Sequence, residues 1–333
     1  MPTDIARRRF LSALGVAAGW PLAARAQQSG KPPRVGVLPT GYRESDPEGQ
    51  ARVNAFRESL GKLGWNDGRN INLDIRWPGA EGDPIGADAA ALVASAPDLI
   101  VISSNAALTA LLKLDARIPT VFVQISDPLG GGFVKSLSRP DGNVTGFQNF
   151  EPAVGGKWLG LLKEVAPTLT RAAVTVYPDT AVHSEFMRAI EAVAPSLGVA
   201  ASAIAVRDTD DLARGIAGFA GTPNGGLIVL PHPRNIDSRA LLSELAAQHR
   251  LPAIYPFRYF AVSGGLMSYG FDQVEQWRGA AGYVDRILRG AKPADLPVQA
   301  PTRYDLVLNL KTAKALNLAI SPSLLATAVE VIE

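Results

Sequence analysis

The chain has 333 residues, with 33 Lys and Arg against 31 Asp and Glu, and 47% of its residues are hydrophobic. This length is too great for one small core and fits two α/β lobes. The charged fraction of 19% is ordinary for a folded soluble protein and argues against an extended disordered chain. The sequence contains no cysteine, which excludes disulfides, thiolate metal sites and thiol catalysis.

Residues 1–26 have the layout of a cleavable export signal. Three arginines at 7–9 precede an apolar run over 10–20, and the small residues Ala24 and Ala26 follow. The apolar run is shorter than the ~20 residues needed to span a bilayer, so a signal peptide is favoured over a membrane anchor or a buried N-terminal helix. The arginines also resemble a twin-arginine signal. We therefore predict cleavage near Ala26 and a periplasmic mature chain.

The excess of positive charge over negative charge belongs to this same segment. Four arginines and one acid lie within residues 1–26, so the remainder of the chain is close to neutral. A basic nucleic-acid-binding surface is therefore not supported. No later segment reaches transmembrane length without charges, so stable membrane insertion is not expected either.

Strands and helices alternate from residue 33 onward. The pattern predicts strands at 34–38, 70–77, 98–102 and 119–125, and then at 172–177, 201–206, 226–230 and 252–255. Predicted helices separate them at 53–63, 87–96, 106–114, 155–165, 184–194, 210–219 and 237–248. Such alternation indicates parallel sheets covered by helices on both faces. We therefore expect an α/β protein with two Rossmann-like lobes joined by hinge strands.

The last part of the chain is predicted to return to both lobes. A strand at 265–269, a helix over 274–288, a strand at 302–309 and a short helix at 311–316 follow in order. We expect the first pair to join the first lobe and the second pair to join the second. The predicted lobes are then 33–149 plus 261–290, and 150–258 plus 300–333.

Four separated segments carry a family resemblance. LGKLGWNDGRNI at 60–71 continues to Arg76 and Trp77; SDPLG at 126–130 is followed by SLSRPDGNVTG at 136–146; GGLMSYG lies at 264–270 and NLKTAKAL at 309–316. In this order they resemble the motifs of a family of ABC transporter substrate-binding proteins, although Asn317 stands where that family usually has glycine. The resemblance implies the type I periplasmic-binding-protein fold, with relatives that bind tryptophan, phenylalanine or other aromatic amino acids. It also implies ABC permease and ATPase subunits as partners.

Polar and aromatic residues follow the predicted strands at the sheet edge where open α/β folds bind ligands. The candidate ligand-binding residues of the first lobe are Thr40, Gly41, Tyr42, Ser103, Ser104, Asn105, Gln124, Ser126, Asp127 and Asn149. Those expected elsewhere are Tyr177, Asp179, His232, Tyr255 and Tyr269, the last of which would close a first-lobe strand.

Several of these residues have a structural alternative. Ser104 or Asn105 can cap the helix that follows, and can also hold a ligand carboxylate together with the helix N–H groups. Asp127 can accept a hydrogen bond from a ligand ammonium or can form the turn before Pro128. Aromatic residues such as Tyr255 can stack on a flat ligand or can pack the core.

Catalytic motifs are missing from the sequence. The three histidines have no metal-ligand spacing, and no GxSxG nucleophile motif occurs. We therefore predict no enzyme activity, no metal and no cofactor. The predicted function is capture of a small ligand, an aromatic amino acid or a related aromatic acid, for an ABC importer. The alternatives are an exported sensor for a signalling partner and a periplasmic enzyme on the same scaffold.

Overall fold

The structure, a computed structural model, describes residues 31–78, 84–114 and 117–333. The predicted signal peptide over 1–26 therefore lies outside the described residues. Within 33–333, which form one unit, the chain builds two β-sheets with helices packed against them. Among the described residues, no helix combines the length and the apolar character needed to cross a membrane.

The first sheet is parallel, with the strand order β2-β1-β3-β4-β5. Its strands are β1 (Arg34–Leu38), β2 (Asn72–Ile75), β3 (Leu99–Ser103), β4 (Thr120–Ile125) and β5 (Val144–Gln148). The helices α1 (Pro47–Lys62), α2 (Pro84–Ala94) and α3 (Asn105–Leu112) connect them. Strands β3, β4 and β5 are buried along their whole length, as expected for a parallel sheet covered on both faces.

Strand β5 was not predicted, and a glycine explains why. Gly146 lies in the middle of the strand with φ +153°, and a Cβ there would come within 1.9 Å of the backbone oxygen of Phe122. Glycine interrupts the hydrophobic pattern of a strand, although here the close approach of β4 requires it. The pairing of the edge strand β5 with β4 therefore depends on Gly146, although glycine is not typical of a strand.

The second sheet has the order β12-β11-β10-β9-β8-β6-β7. Its strands are β6 (Arg171–Val176), β7 (Ala200–Ala205), β8 (Gly225–Val229), β9 (Ala253–Tyr255), β10 (Met267–Gly270), β11 (Asp305–Asn309) and β12 (Glu330–Ile332). All neighbours pair in parallel except β10 and β11. The remaining helices are α4 (Val154–Val165), α5 (Val182–Val193), α6 (Thr209–Ala220), α7 (Pro233–Asp237), α8 (Arg239–Gln248), α9 (Arg258–Val262), α10 (Gln273–Leu288), α11 (Leu310–Ala315) and α12 (Pro322–Thr327).

The placement of the strand predicted at 265–269 in the first lobe is wrong. This strand is β10, and Met267 pairs with Ile254 of β9 and with Leu308 of β11 in the second sheet. Its residue pattern predicts a strand and does not indicate which sheet the strand joins. The helix after it behaves as expected, because Trp277 of α10 packs edge-on against Phe56 of α1 in the first-lobe core. We therefore call the first sheet with α1, α2, α3 and α10 the first lobe, and the rest the second lobe.

Three segments connect the lobes, at 149–153, 271–272 and 289–304. Each contributes one aromatic ring to a shared cluster at the crossing. The ring of Phe150 lies 5.1 Å from that of Phe271 and 5.9 Å from that of Tyr304. The Tyr304 hydroxyl also donates a hydrogen bond to the backbone oxygen of Asn149, at 3.0 Å. The crossing segments therefore pack against one another instead of running separately.

Candidate ligand-binding site

A cavity lies between the two lobes, at the carboxyl ends of the strands. The first lobe lines it with Thr40, Ser104, Asn105, Ala106, Gln124, Ser126, Asn149 and Gln273. The second lobe lines it with Thr180, Val182, Pro231, His232, Pro233, Ile236 and Phe257.

Hydrogen bonds tie together the first-lobe loops that form one wall of this cavity. The side-chain amide of Asn105 donates to the backbone oxygen of Ser126 at 2.7 Å and accepts from its backbone nitrogen at 2.9 Å. The Ser126 hydroxyl donates to Oδ1 of Asn149 at 2.7 Å, and Nδ2 of Asn149 donates to the backbone oxygen of Gln124 at 3.1 Å. These contacts join the loops after β3, β4 and β5 into one preorganised surface.

Three residues in or beside these loops have a strained backbone. Ser104, Gln124 and Asp127 have φ values of 74°, 59° and 44°, in a region that residues other than glycine seldom adopt. Such residues persist where the surrounding structure imposes them, and they cluster at ligand sites. Ser104 also caps α3, since its hydroxyl oxygen accepts from the backbone nitrogen of Ala107 at 3.3 Å, which confirms the predicted capping.

Two buried histidines lie on the opposite side, and of these His232 lines the cavity while His183 lies behind it. Burial holds the pKa of His183 down at about 4, and burial together with the charges of His183 and Arg234 holds the pKa of His232 well below its ordinary value. Nδ1 of His232 accepts from the backbone nitrogen of Arg234 at 3.2 Å, so the neutral ring carries its proton on Nε2. Nδ1 of His183 likewise accepts from the backbone nitrogen of Tyr177 at 3.1 Å.

A buried arginine fixes the side chain at the base of the cavity. Arg52 of α1 is 2% exposed, and its guanidinium donates to Oε1 of Gln273. The Tyr42 hydroxyl donates to the same oxygen at 3.4 Å. With two donors on Oε1, the amide of Gln273 has only one orientation that satisfies them, and its Nε2 has no hydrogen-bond partner.

The two lobes touch each other beside the cavity, through the loop between β1 and α1. Arg43 pairs with Asp237 at 3.4 Å, and Asp46 pairs with Arg239 at 2.7 Å. Gly41, with φ +85°, lies so near Pro233 that a Cβ on the glycine would be 3.0 Å from the Cα of the proline. The cleft between the lobes is therefore closed in this structure.

The comparisons with known proteins agree with this architecture. A profile of the family described as ABC transporter substrate binding protein matches residues 45–332. The chain belongs to that family. The resemblance seen in the four sequence segments is thereby confirmed, and the family consists of solute-binding proteins and not of enzymes.

Among the relatives, a tyrosine-binding protein of Clostridioides difficile (strain R20291) is 24% identical over 270 residues, which cover 79% of this chain and 75% of the relative. The structure of an ABC domain in complex with L-Trp from Streptococcus pneumonia is 24% identical with a TM-score of 0.82, over 91% of this chain and 100% of that one. A conserved domain protein from Vibrio cholerae is 25% identical with a TM-score of 0.82, over 90% and 100%. These likenesses confirm the type I periplasmic-binding-protein fold of this substrate-binding protein.

Most of the predicted first-lobe residues lie at the cavity. Those that line it are Thr40, Ser104, Asn105, Gln124, Ser126 and Asn149, with His232 from the second lobe. Others stand directly behind this lining: Ser103 accepts from the backbone nitrogen of Thr40 at 2.8 Å, and the Tyr177 ring stacks on His232. Gly41 and Tyr42 belong to the closing loop and to the base described above.

The remaining predicted residues lie elsewhere. Oδ1 of Asp127 accepts from the backbone nitrogen of Gly130 at 2.9 Å, so this carboxylate serves a turn and is not part of the cavity lining. Tyr255 is buried in the second-lobe core, where it stacks on Phe260. Tyr269 stacks on Tyr304 near the crossing segments. Asp179 lines a wider opening that adjoins the cavity.

Residues that the sequence analysis did not select complete the cavity. Gln273 is the first residue of α10, far along the chain from the strand ends that supplied the other candidates. Val182 and Ile236 lie near the starts of α5 and α7, and their apolar side chains predict only core packing. Gln273 has no local sequence signal, because a crossing of the chain between the lobes brings it to the site.

Proposed function

We propose that this chain is the solute-binding component of an ABC importer, which captures an aromatic amino acid or a related aromatic acid between its lobes and delivers it to a membrane permease. The observation that carries the proposal is the closed cavity between the lobes, with a polar wall on one side and an apolar wall on the other. We also propose that residues 1–26 direct export and that the mature chain acts in the periplasm.

The chemistry of the two walls supports a ligand with a carboxylate at one end and a flat apolar body. The first turn of α3, with Ser104 before it, presents a helix N-terminus to the cavity, and such termini attract anions. Across the cavity lie the apolar side chains of Val182, Ile236 and Phe257. An aromatic ring can bury its surface against these three side chains.

The relatives support the same class of ligand. One is named for tyrosine and another was solved with tryptophan, and both of those ligands combine a carboxylate with an aromatic ring. The identities of about 24% leave room for a different pocket. The proposed ligand class therefore rests on the polar and apolar side chains of the two cavity walls, and the ligands of the relatives support the same class.

The contacts between the lobes support a mechanism of capture by closure. The ion pair between Asp46 and Arg239 and the contact between Gly41 and Pro233 exist only when the lobes are together. A ligand that touches both walls adds contacts to the closed state alone, and so shifts the equilibrium toward it. The closed state with ligand is then the form that the permease recognises.

A binding panel tests this function. The full chain is titrated by calorimetry with aromatic amino acids, aromatic carboxylic acids, a sugar and an aliphatic dicarboxylate. We expect one aromatic compound per chain to bind, and its presence at a hundredfold excess over Kd to stabilise the fold by about 2.7 kcal/mol. Binding of the sugar or dicarboxylate alone, or of no compound, would overturn the proposal.

A further inference from the structure

We infer that the ligand is an aromatic carboxylic acid without an α-ammonium group, and not an amino acid. This inference rests on the proposed function and narrows its ligand class. It follows from the described lining of the cavity, which has no carboxylate for a ligand ammonium but contains amide donors without partners.

No charged side chain belongs to the cavity lining, within the part of the chain that the structure describes. The carboxylate of Asp127, expected to meet a ligand ammonium, is used by the turn to Gly130. Asp179 lies in the adjoining opening, where the Thr180 hydroxyl donates to its Oδ1 at 3.4 Å. An ammonium inside the cavity would therefore be desolvated without a carboxylate partner, which is strongly unfavourable.

Three amide oxygens of the lining already accept hydrogen bonds within the protein. Oδ1 of Asn105 accepts from the backbone nitrogen of Ser126, and Oδ1 of Asn149 accepts from the Ser126 hydroxyl. Oε1 of Gln273 accepts from Arg52 and from the Tyr42 hydroxyl. An ammonium would therefore compete with these internal hydrogen bonds for the three amide oxygens.

The donors, in contrast, are left available. Gln273 is 4% exposed and Gln124 is 7% exposed; both line the cavity, and Nε2 of each has no partner. A buried amide N–H without a partner is costly, and a ligand oxygen can satisfy it. The hydroxyl of Ser104, whose oxygen already accepts from α3, adds a donor, and so does the Nε2–H of His232.

The surrounding charges strengthen these donors. The buried guanidinium of Arg52 donates to Oε1 of Gln273, and this polarises the amide and strengthens its N–H donors. The N-terminus of the eight-residue helix α3, which carries a partial positive charge, also lies at the cavity. Both features stabilise an anion, and neither stabilises a cation.

Matched ligand pairs test this inference directly. The full chain is titrated with 3-phenylpropanoate against L-phenylalanine, with 3-(4-hydroxyphenyl)propanoate against L-tyrosine, and with indole-3-propanoate against L-tryptophan. In the pair whose ring fits, we expect the acid without the amino group to bind at least tenfold more tightly. The corresponding amide, 3-phenylpropanamide for the first pair, should bind at least tenfold more weakly than its acid.

A substitution at Gln273 tests whether its Nε2 donor selects the carboxylate of the ligand. Gln273→Glu keeps the size of the side chain and its contact with Arg52 but replaces the Nε2 donor by a carboxylate oxygen. We expect this variant to lose affinity for the acid by at least tenfold while its melting temperature without ligand stays close to that of the parent chain. Gln248→Glu on α8 makes the same change at an exposed position and should bind the acid normally.

The outcomes separate this inference from the proposed function. Tighter binding of an amino acid than of its matched acid would overturn the inference and leave the proposed function in place, above all if Asp179→Asn abolished that preference. Failure of every aromatic compound to bind would overturn both. Acid binding that survives unchanged in Gln273→Glu would show that the donors do not select the anion, and would also overturn the inference.

Discussion

His232 and Tyr177 lie face to face, with ring centroids 3.6 Å apart and planes within 9° of parallel. Tyr177 is itself held by a hydrogen bond from its hydroxyl to Oδ1 of Asn235, at 2.7 Å. The stack therefore positions the imidazole at the cavity wall through a chain of buried contacts. A histidine held in this way acts as a neutral donor, because protonation would place a charge where burial and Arg234 oppose it.

The first prediction concerns the dependence of stability on pH. The folded chain depresses the pKa values of His183 and His232 below 6.5, so the unfolded chain takes up protons first as the pH falls. Their contribution is fully present above pH 6.5 and is lost progressively toward about pH 4, the pKa of His183. Each histidine adds a slope of at most about 1.4 kcal/mol per pH unit to the free energy of unfolding.

Urea unfolding at several pH values between about 7 and 5 measures this slope of the free energy of unfolding. His183→Asn keeps an acceptor near Nδ1 and should reduce the slope by up to the amount of one histidine. An unchanged slope in His183→Asn would contradict the buried, neutral state of that ring.

The second prediction tests the close approach between the lobes. Gly41→Ala adds a methyl group 3.0 Å from the Cα of Pro233 and imposes a left-handed backbone of φ +85° on a residue with a side chain. Gly64→Ala is its matched control, since φ there is +95° and no atom lies within 4 Å. Both variants should lose about 1–2 kcal/mol of stability, because the backbone strain is shared.

Only Gly41→Ala should also weaken ligand binding, by about tenfold or 1.4 kcal/mol, because the added methyl group opposes closure. Calorimetric titration of both variants measures the difference. Equal affinities in the two variants would show that the contact with Pro233 is not needed for the liganded state.

The third prediction concerns the ion pair that joins the lobes. Asp46 and Arg239 lie 2.7 Å apart, with side chains 9% and 23% exposed. Asp46→Asn removes the charge, while the asparagine can still cap α1 at the backbone nitrogen of Glu48. A pair of this exposure is worth about 1 kcal/mol, so the ligand Kd should rise about fivefold.

Small-angle X-ray scattering and calorimetry together measure this effect, since the variant should populate a more open form without ligand. Glu185→Gln is the control, because it removes an ion pair with Arg188 that lies within the second lobe. A change of Kd in the control as large as that in Asp46→Asn would contradict a specific role in closure.

The fourth prediction separates strain from function at Gln124. Gln124→Gly removes the left-handed strain of φ 59° and a buried donor without a partner. Stability should stay the same or rise by about 1 kcal/mol, whereas ligand affinity should fall at least tenfold. Asn224→Gly, at the same φ of 59° in an exposed turn, should leave affinity unchanged. Loss of stability with full affinity in Gln124→Gly would reverse our interpretation.

Much of the fold was predictable because its signals are local. Buried strands such as β3 and helices such as α1 show the periodicity that burial on one or both faces requires. Strand β5 was not predicted because its central residue, Gly146, is required by a close contact with the backbone of Phe122 on β4. This tertiary contact leaves no trace in the hydrophobic pattern of β5. The sheet that β10 joins was mispredicted for a similar reason, since strand pairing is a tertiary property.

The residues of the candidate site also differ in whether local signals predict them. Ser104, Asn105 and Ser126 were predictable because they follow strands at the edge where open sheets bind ligands. Gln273 was not, since it reaches the cavity only after a crossing between lobes and is oriented by Arg52 from another helix. Asp127 was predicted to bind the ligand, but its position after a strand does not reveal that Gly130 uses its carboxylate.

The most direct test of the account is mass spectrometry of the small molecules released by denaturing the chain after gentle purification from its own cells. We expect one aromatic carboxylic acid without an amino group, present at close to one per chain in the parent protein and lost from Gln273→Glu. An aromatic amino acid, a ligand of another class, or a set of compounds that is identical in the parent and in Gln273→Glu would contradict it.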